Sequence, residues 1–313
     1  ARVRANQARF PVDLGDTMSD IRSPVDFRQI GRPIAQSLMD GYQDQSMLVH
    51  LAGARGFHDN IEWRLPIASH ADFAEMAINT VKAPTKNRHF IADASSIKPF
   101  TVISSEVDLA TTDLLDMDVV DSVRTMIESI QLPPPAIKIP GDVVAEDSPL
   151  RCMLVSPAQY HAFSQDANFR QFQASALARA SKAGNHPLFL GEVGLWNGVL
   201  IMKMPKPIRF YSGDTIMYCA ANDTETETAC TVPAAFGTTH AVDRALLLGG
   251  QALAQAFASS KHGGMPFFWK EKGWDHDDKM ELLIGAIQGL AKVRWLVNQG
   301  NGDKHYTDHG VIA

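Results

Sequence analysis

Cysteine is scarce in this sequence: Cys152, Cys219 and Cys230 are the only three among 313 residues. Their number is odd and no two are spaced C-x-x-C. That argues against a disulfide framework or a zinc ribbon and fits buried thiols in a reducing compartment. Long apolar runs are missing too. No stretch approaches the roughly 18 residues of a membrane helix, so no membrane partner is expected. Positive charge is not in excess: 29 Lys and Arg stand against 35 Asp and Glu, a net charge of -6. A surface that grips phosphates carries more cations than that, which argues against tight nucleic-acid binding.

Familiar chemical motifs are absent as well. Gly191-Glu-Val-Gly194 and Gly249-Gly250 match neither a dinucleotide fingerprint nor a phosphate loop, and read as turn and packing glycines. No G-x-S-x-G elbow occurs. His305 and His309 have the i, i+4 spacing of a zinc helix, but the intervening Tyr-Thr-Asp lacks its Glu, and Gly300, Gly302 and Gly310 favour a loop. Asp275-His-Asp-Asp278 lacks the glycine and distal Glu of a calcium loop and reads as a charged turn. Glu62 and Glu75 have no obvious partner. No catalytic, metal-binding or cofactor-binding residue is therefore assigned, and no cofactor is expected.

What the chain does contain is an ordinary folded composition, 45% hydrophobic and 20% charged, with 15 Phe and 5 Trp. That suffices for one large domain or two modest ones. Its start, Ala-Arg-Val-Arg, has no apolar signal region and no initiator Met, and reads as a chain cut from its middle. Residues 1–23 are polar, broken by Pro11 and Gly15, and predicted to be extended. Pro33 opens a helical pattern to Ala52, with Ile34, Leu38 and Tyr42 four apart and Gly53 as its stop. Leu38 and Val49 are placed on its buried face.

Further on, a short helix is predicted at His70–Val81 and a strand at Phe100–Ser104. A helix from Thr111 or Thr112 to Gln131 follows, carrying the stripe Leu115, Val119, Val123, Met126, Ile127 and Ile130. Asp113, Asp116 and Asp118 crowd its start, where the dipole favours carboxylates, and Pro133-Pro134-Pro135 ends it. Strands are expected at Cys152–Ser156, Val199–Met202 and Ala245–Leu248, with a helix starting at Pro157 and helical segments alternating with turns to Gly184. The Thr-rich stretch Gly213–Asp243 reads as a surface loop. From Glu281 to Val297 apolar and polar residues alternate as in a half-buried strand of unusual length.

Several segments, in order, resemble the major capsid protein family of tailed bacteriophages. Asp13-Leu-Gly-Asp-Thr-Met18 is similar to the end of that family's extended loop. Asp44-Gln-Ser-Met-Leu-Val-His-Leu-Ala-Gly-Ala-Arg-Gly56 resembles the close of its spine helix. Leu154-Val-Ser-Pro-Ala-Gln-Tyr160 resembles the strand-to-helix step of its axial domain. Asn197-Gly-Val-Leu-Ile-Met-Lys-Met-Pro205 and Arg244-Ala-Leu-Leu-Leu-Gly-Gly-Gln-Ala-Leu-Ala-Gln-Ala256 resemble the strands that follow. The strand Glu281–Val297 and the closing His309-Gly-Val-Ile-Ala313 fit its C-terminal end. The family's N-terminal arm has no counterpart here, and residues 57–100 and 213–243 look like insertions.

The resemblance implies an α+β Hong Kong 97-like capsid fold. Residues 1–23 would end the extended loop, 24–111 and 278–300 would form the peripheral domain, and 112–277 with 301–313 the axial domain. It implies a structural, non-enzymatic protein assembling with itself into hexamers and pentamers of an icosahedral shell around double-stranded DNA. Scaffolding, portal and decoration proteins would be its partners, and packaged DNA would lie near it without specific contact. Assembly would occur in the host cytoplasm and end in the virion capsid. Arg2, Arg4, Arg9 and Arg22 would reach an adjacent subunit, with Asp113, Asp116 and Asp118 as candidate partners. An encapsulin-like compartment shell, or a cytoplasmic α+β enzyme with a dispersed site, are the alternatives.

Overall fold

The structure, a computed structural model, describes residues 2–308 except 25, 60, 137–150, 172–193, 260–265, 277, 299 and 301. The expected helical segments beyond residue 171, the glycine motif at 191–194 up to residue 193, and His309 lie outside those residues. The chain divides into two compact units: Ala1–His50, Asp59–Val81 and Leu253–Ala291 form the first, and Leu51–His58, Lys82–Ala252 and Lys292–Ala313 the second. Residues 82–111 thus fall with the larger unit and 253–277 with the smaller, unlike the division expected from the sequence.

In the first unit the strand Lys279–Lys292 is central. The strand Asn6–Asp16 pairs with it antiparallel, placing Phe10 opposite Ile284 and Asp13 opposite Glu281. Leu253–Phe257 and Phe267–Trp274 also pair with it. Residues 6–16 are therefore seated on the chain's own sheet by alternate apolar side chains, with Ala8 and Leu14 buried. Residues Thr17–Arg22 form a short helix rather than an extension. Gly289 has to be glycine because the Arg4 carbonyl occupies the space a Cβ would need.

The long helix runs Phe27–Ala52 with Pro33 inside it, so it starts six residues before the expected point. Proline removes one hydrogen bond and disfavours a helix interior, yet packing overrides it. Phe27 lies against the cluster of Leu14, Ala35 and Leu282 and holds the first turns in place. The buried face passes through Ala35, Met39, Tyr42 and Val49. Leu38 is only half-buried and Ile34 is exposed, so the true stripe is displaced from the expected one. Tyr42 packs edge-on against Phe10, 5.2 Å between centroids, and its hydroxyl donates to the Met76 carbonyl at 2.7 Å. The helix predicted at His70–Val81 spans only Phe73–Ala77.

The second unit is built on the sheet Leu246–Leu248, Arg151–Val155, Val199–Lys203, Gly194–Trp196. Arg151–Val155 runs parallel to Val199–Lys203; the outer pairings are antiparallel. The helix Met117–Ser129 covers the sheet. Its Val119, Val123 and Ile127, with Leu115 just before it, meet Met153, Val155, Val199, Ile201 and Leu247, as the 3.6-residue stripe requires. Its cap is Asp116, which accepts from Val119 N–H at 2.8 Å, not Thr111 or Thr112. Pro157–Gln165 follows as a helix, opened by a capping box between Ser156 and Gln159.

Three other expectations need correction. The Thr-rich segment contains the strands Thr215–Cys219, Glu227–Thr231 and Ala241–Asp243. Ile216, Cys219 and Cys230 are buried there, and threonine's branched Cβ suits the pleat between them. The strand placed at Phe100–Ser104 shrinks to Val102–Ile103. The strand expected to reach Val297 stops at Lys292, and Arg294–Asn298 pairs instead with Lys304–Asp308, which puts His305 in a strand rather than a loop. All three cysteines are free and buried, and burial pushes Cys152 and Cys230 up to about 11.

Candidate functional site

The most strongly perturbed charges lie inside the second unit. Asp308 accepts from Lys292 Nζ at 3.1 Å, from Arg294 Nε at 3.0 Å and from the Thr85 N–H at 3.0 Å. Burial works to raise its carboxyl, but the two cations and the amide prevail and hold it below the ordinary range. Burial works the other way on Arg88 and Arg244, bringing each down to about 10. His89 is stacked on Phe100, 3.9 Å between centroids. Burial, then Arg244 and Lys292, keep it neutral well below the usual 6.5.

This constellation is structural in form. Several of its donors go to backbone carbonyls: Arg244 Nη1 to Ala52 at 2.8 Å, Arg294 Nη2 to Ala83 at 2.5 Å, and Arg88 Nη2 to Gln131 and Leu132, while Arg88 Nε and Nη1 are buried without a hydrogen-bond partner. It ties segments far apart in sequence into one frame. Among the described residues no cluster of His, Cys, Asp and Glu could hold a metal, and no helix is long and apolar enough to cross a membrane. Asp275 and His276 form the turn between Phe267–Trp274 and Lys279–Lys292, both with positive φ.

The predicted contact residues are distributed as follows. Arg2, Arg4, Arg9 and Arg22 all fall in the first unit, and Asp113, Asp116 and Asp118 in the second. The Arg4 backbone N–H donates to Asn79 Oδ1 and its carbonyl accepts from Asn79 Nδ2, each 2.9 Å, while Arg4 itself is exposed. Arg9 stands opposite Gly285 on the sheet. Asp113 accepts from Ala94 and Ala110 N–H groups, and Asp116 is the helix cap. Of these three aspartates, Asp118 is the exposed one.

The sequence reading missed the exposed aromatics of the first unit. Phe257, Phe267, Trp269 and Trp274 are all exposed, on the strands that flank Lys279–Lys292. Arg32 lies over Trp269, 4.7 Å from its centroid, while pairing with Glu271 at 2.9 Å. The run Phe267-Phe-Trp269, followed by Lys270-Glu-Lys272, was the available signal. Such aromatic surface marks a contact region.

Residues 1–313 match the profile of the family described as phage capsid protein. The chain belongs to that family. This capsid protein is a structural protein of the phage head, with the α+β Hong Kong 97-like fold. Solved structures agree on the fold. The capsid of Ralstonia phage GP4 is similar over 99% of this chain and 72% of its own, with TM-score 0.68 and 23% identity. The capsid of cyanophage Pam1 covers 99% and 73% at TM-score 0.61 and 13% identity. The head of Helicobacter pylori bacteriophage KHP40 covers 99% and 74% at TM-score 0.55 and 12% identity. No curated protein sequence matches the capsid protein.

Proposed function

We propose that this capsid protein forms hexamers and pentamers that close into an icosahedral shell around double-stranded DNA. The family match along the whole chain carries the reading. Heterologous contacts between unlike patches of one chain close into rings of this kind, and the exposed aromatic strand of the first unit supplies one such patch. The unit with the long helix and long strand fits the role of peripheral domain, and the unit around the 246–248 sheet that of axial domain. Arg2, Arg4, Arg9 and Arg22, with Asp118 as the accessible carboxylate, serve subunit contacts in this reading.

Assembly takes place in the host cytoplasm with scaffolding and portal proteins, and decoration proteins bind the finished shell. A net charge of -6 keeps packaged DNA from adhering to the wall. No catalytic step is assigned to the chain. Expression of the full-length gene, with a scaffold where one is encoded, should yield five- and six-fold rings or closed shells by electron microscopy. A protein that stays monomeric at high concentration overturns the reading.

A further inference from the structure

At the hairpin end of the first unit, the sheet forms a groove of about 360 Å³ lined by Pro11, Asp13, Trp274, Lys279, Met280 and Glu281. Register explains its chemistry. Asp13 stands directly opposite Glu281 in the ladder, a like-charge placement that destabilises a strand pair. Lys272 is the partner of Glu281 on the other side, but its ammonium lies over the Trp274 ring, 4.1 Å from the centroid. Asp13 Oδ1 accepts from Gly15 N–H at 2.9 Å, and Glu281 Oε2 accepts from Trp274 Nε1 at 2.8 Å. Among the described residues neither carboxylate forms an ion pair. Lys279 sits at the end of the groove, opposite Asp16.

The same unit carries the complement. In the helix Thr17–Arg22, Met18, Ile21 and Arg22 share one face by their i, i+3, i+4 spacing. Met18 is 50% exposed and Ile21 73%; Arg22 is exposed and makes no ion pair among the described residues. A guanidinium beside two apolar side chains matches two carboxylates beside an indole and a proline. Knob and groove are different patches of one chain and do not engage each other within it. A second copy satisfies both, in a heterologous contact.

We propose that Met18, Ile21 and Arg22 of one copy dock in the groove of a second copy, with the guanidinium bridging Asp13 and Glu281. The contact rests on the capsid reading above and names one of the interfaces it requires. Charge-assisted hydrogen bonds to both carboxylates relieve their mutual repulsion, so the groove gains more from an arginine than either carboxylate alone would.

Charge exchange tests it. Arg22→Glu and Glu281→Arg should each cut the yield of rings or shells roughly tenfold or more, because juxtaposed like charges oppose association. The double variant should restore assembly, since it re-pairs the charges in exchanged order. Free-subunit melting, followed by circular dichroism, checks that each variant folds. Where a reversal unfolds the subunit, Arg22→Gln and Glu281→Gln replace it, with a smaller loss expected. Single variants that assemble like the wild type overturn the contact, as does a folded double variant no better than the singles. That would leave the groove to a decoration protein or a cation. A wild-type chain that forms no assembly at all overturns the capsid reading instead, so the two failures are distinguishable.

Discussion

Lys292 Nζ donates to Asp308 Oδ2 at 3.1 Å, and both side chains are 1% exposed. The pair shares its carboxylate with Arg294, so one anion serves two buried cations. Asp308→Asn leaves Lys292 without its counter-ion and Arg294 with only the part-exposed Glu225, 3.4 Å away, and should destabilise the free subunit by about 3–5 kcal/mol. Lys292→Met removes a cation while Arg294 still neutralises the carboxylate, and should cost less. Urea denaturation of the two variants ranks them; equal losses would show that Arg294 does not share the charge.

Acid sensitivity follows from two depressed groups. His89 is neutral in the fold, so its contribution is complete above the usual 6.5 and lost as pH falls toward its lower folded value. Asp308 contributes above the usual 3.8 and loses that contribution as pH falls through its own lowered value. Stability should therefore decline in two stages on acidification. His89→Phe preserves the stack on Phe100 and should flatten the upper stage only. Urea midpoints measured from pH 7 to pH 3 test this; an unchanged upper stage would refute it.

The phase of the long helix can be checked by paired substitutions. Ala35 is 1% exposed and packs with Leu14 and Leu282. Ala35→Asp buries an unpaired carboxylate in that cluster and should cost several kcal/mol. Leu38→Asp, on a half-buried position, should cost distinctly less. Thermal melting of both decides it, and the reverse order would put Leu38 back in the core.

One segment should be removable. The Ala258 N–H donates to the Ile287 carbonyl at 3.1 Å, and the Ile287 N–H donates to the Pro266 carbonyl at 2.9 Å. Ala258 and Pro266 thus share the two bonds that one strand residue would make. Phe267 follows opposite Ala286. Deleting residues 259–266 joins Ala258 to Phe267 in register, and should change subunit stability by no more than about 1 kcal/mol, since the ladder opposite Ala286 and Ile287 is kept. Loss of folding on deletion would show that the segment supports the sheet.

The sequence by itself determined the elements whose signals are local. The stripe Leu115, Val119, Val123, Ile127 and the proline triplet bracketed one helix, and Ser156-Pro157 with Gln159 began another. The turn at Asp275 and His276 and the buried state of the cysteines were equally legible, as was the order of segments that marks the family. Only the tertiary structure decided what depends on distant partners. Phe27 carries the long helix back past Pro33 because Leu14 and Leu282 wait beneath it. Residues 6–16 are ordered by a strand some 270 positions away, which also turns Asp13 toward Glu281. Thr215–Thr231 became strands because each offered the other a ladder, and Asp308 found its cations across a hairpin. Periodicity reports how a segment can bury one face. It carries no record of which segment will lie against that face, and the pairing of charges is settled there.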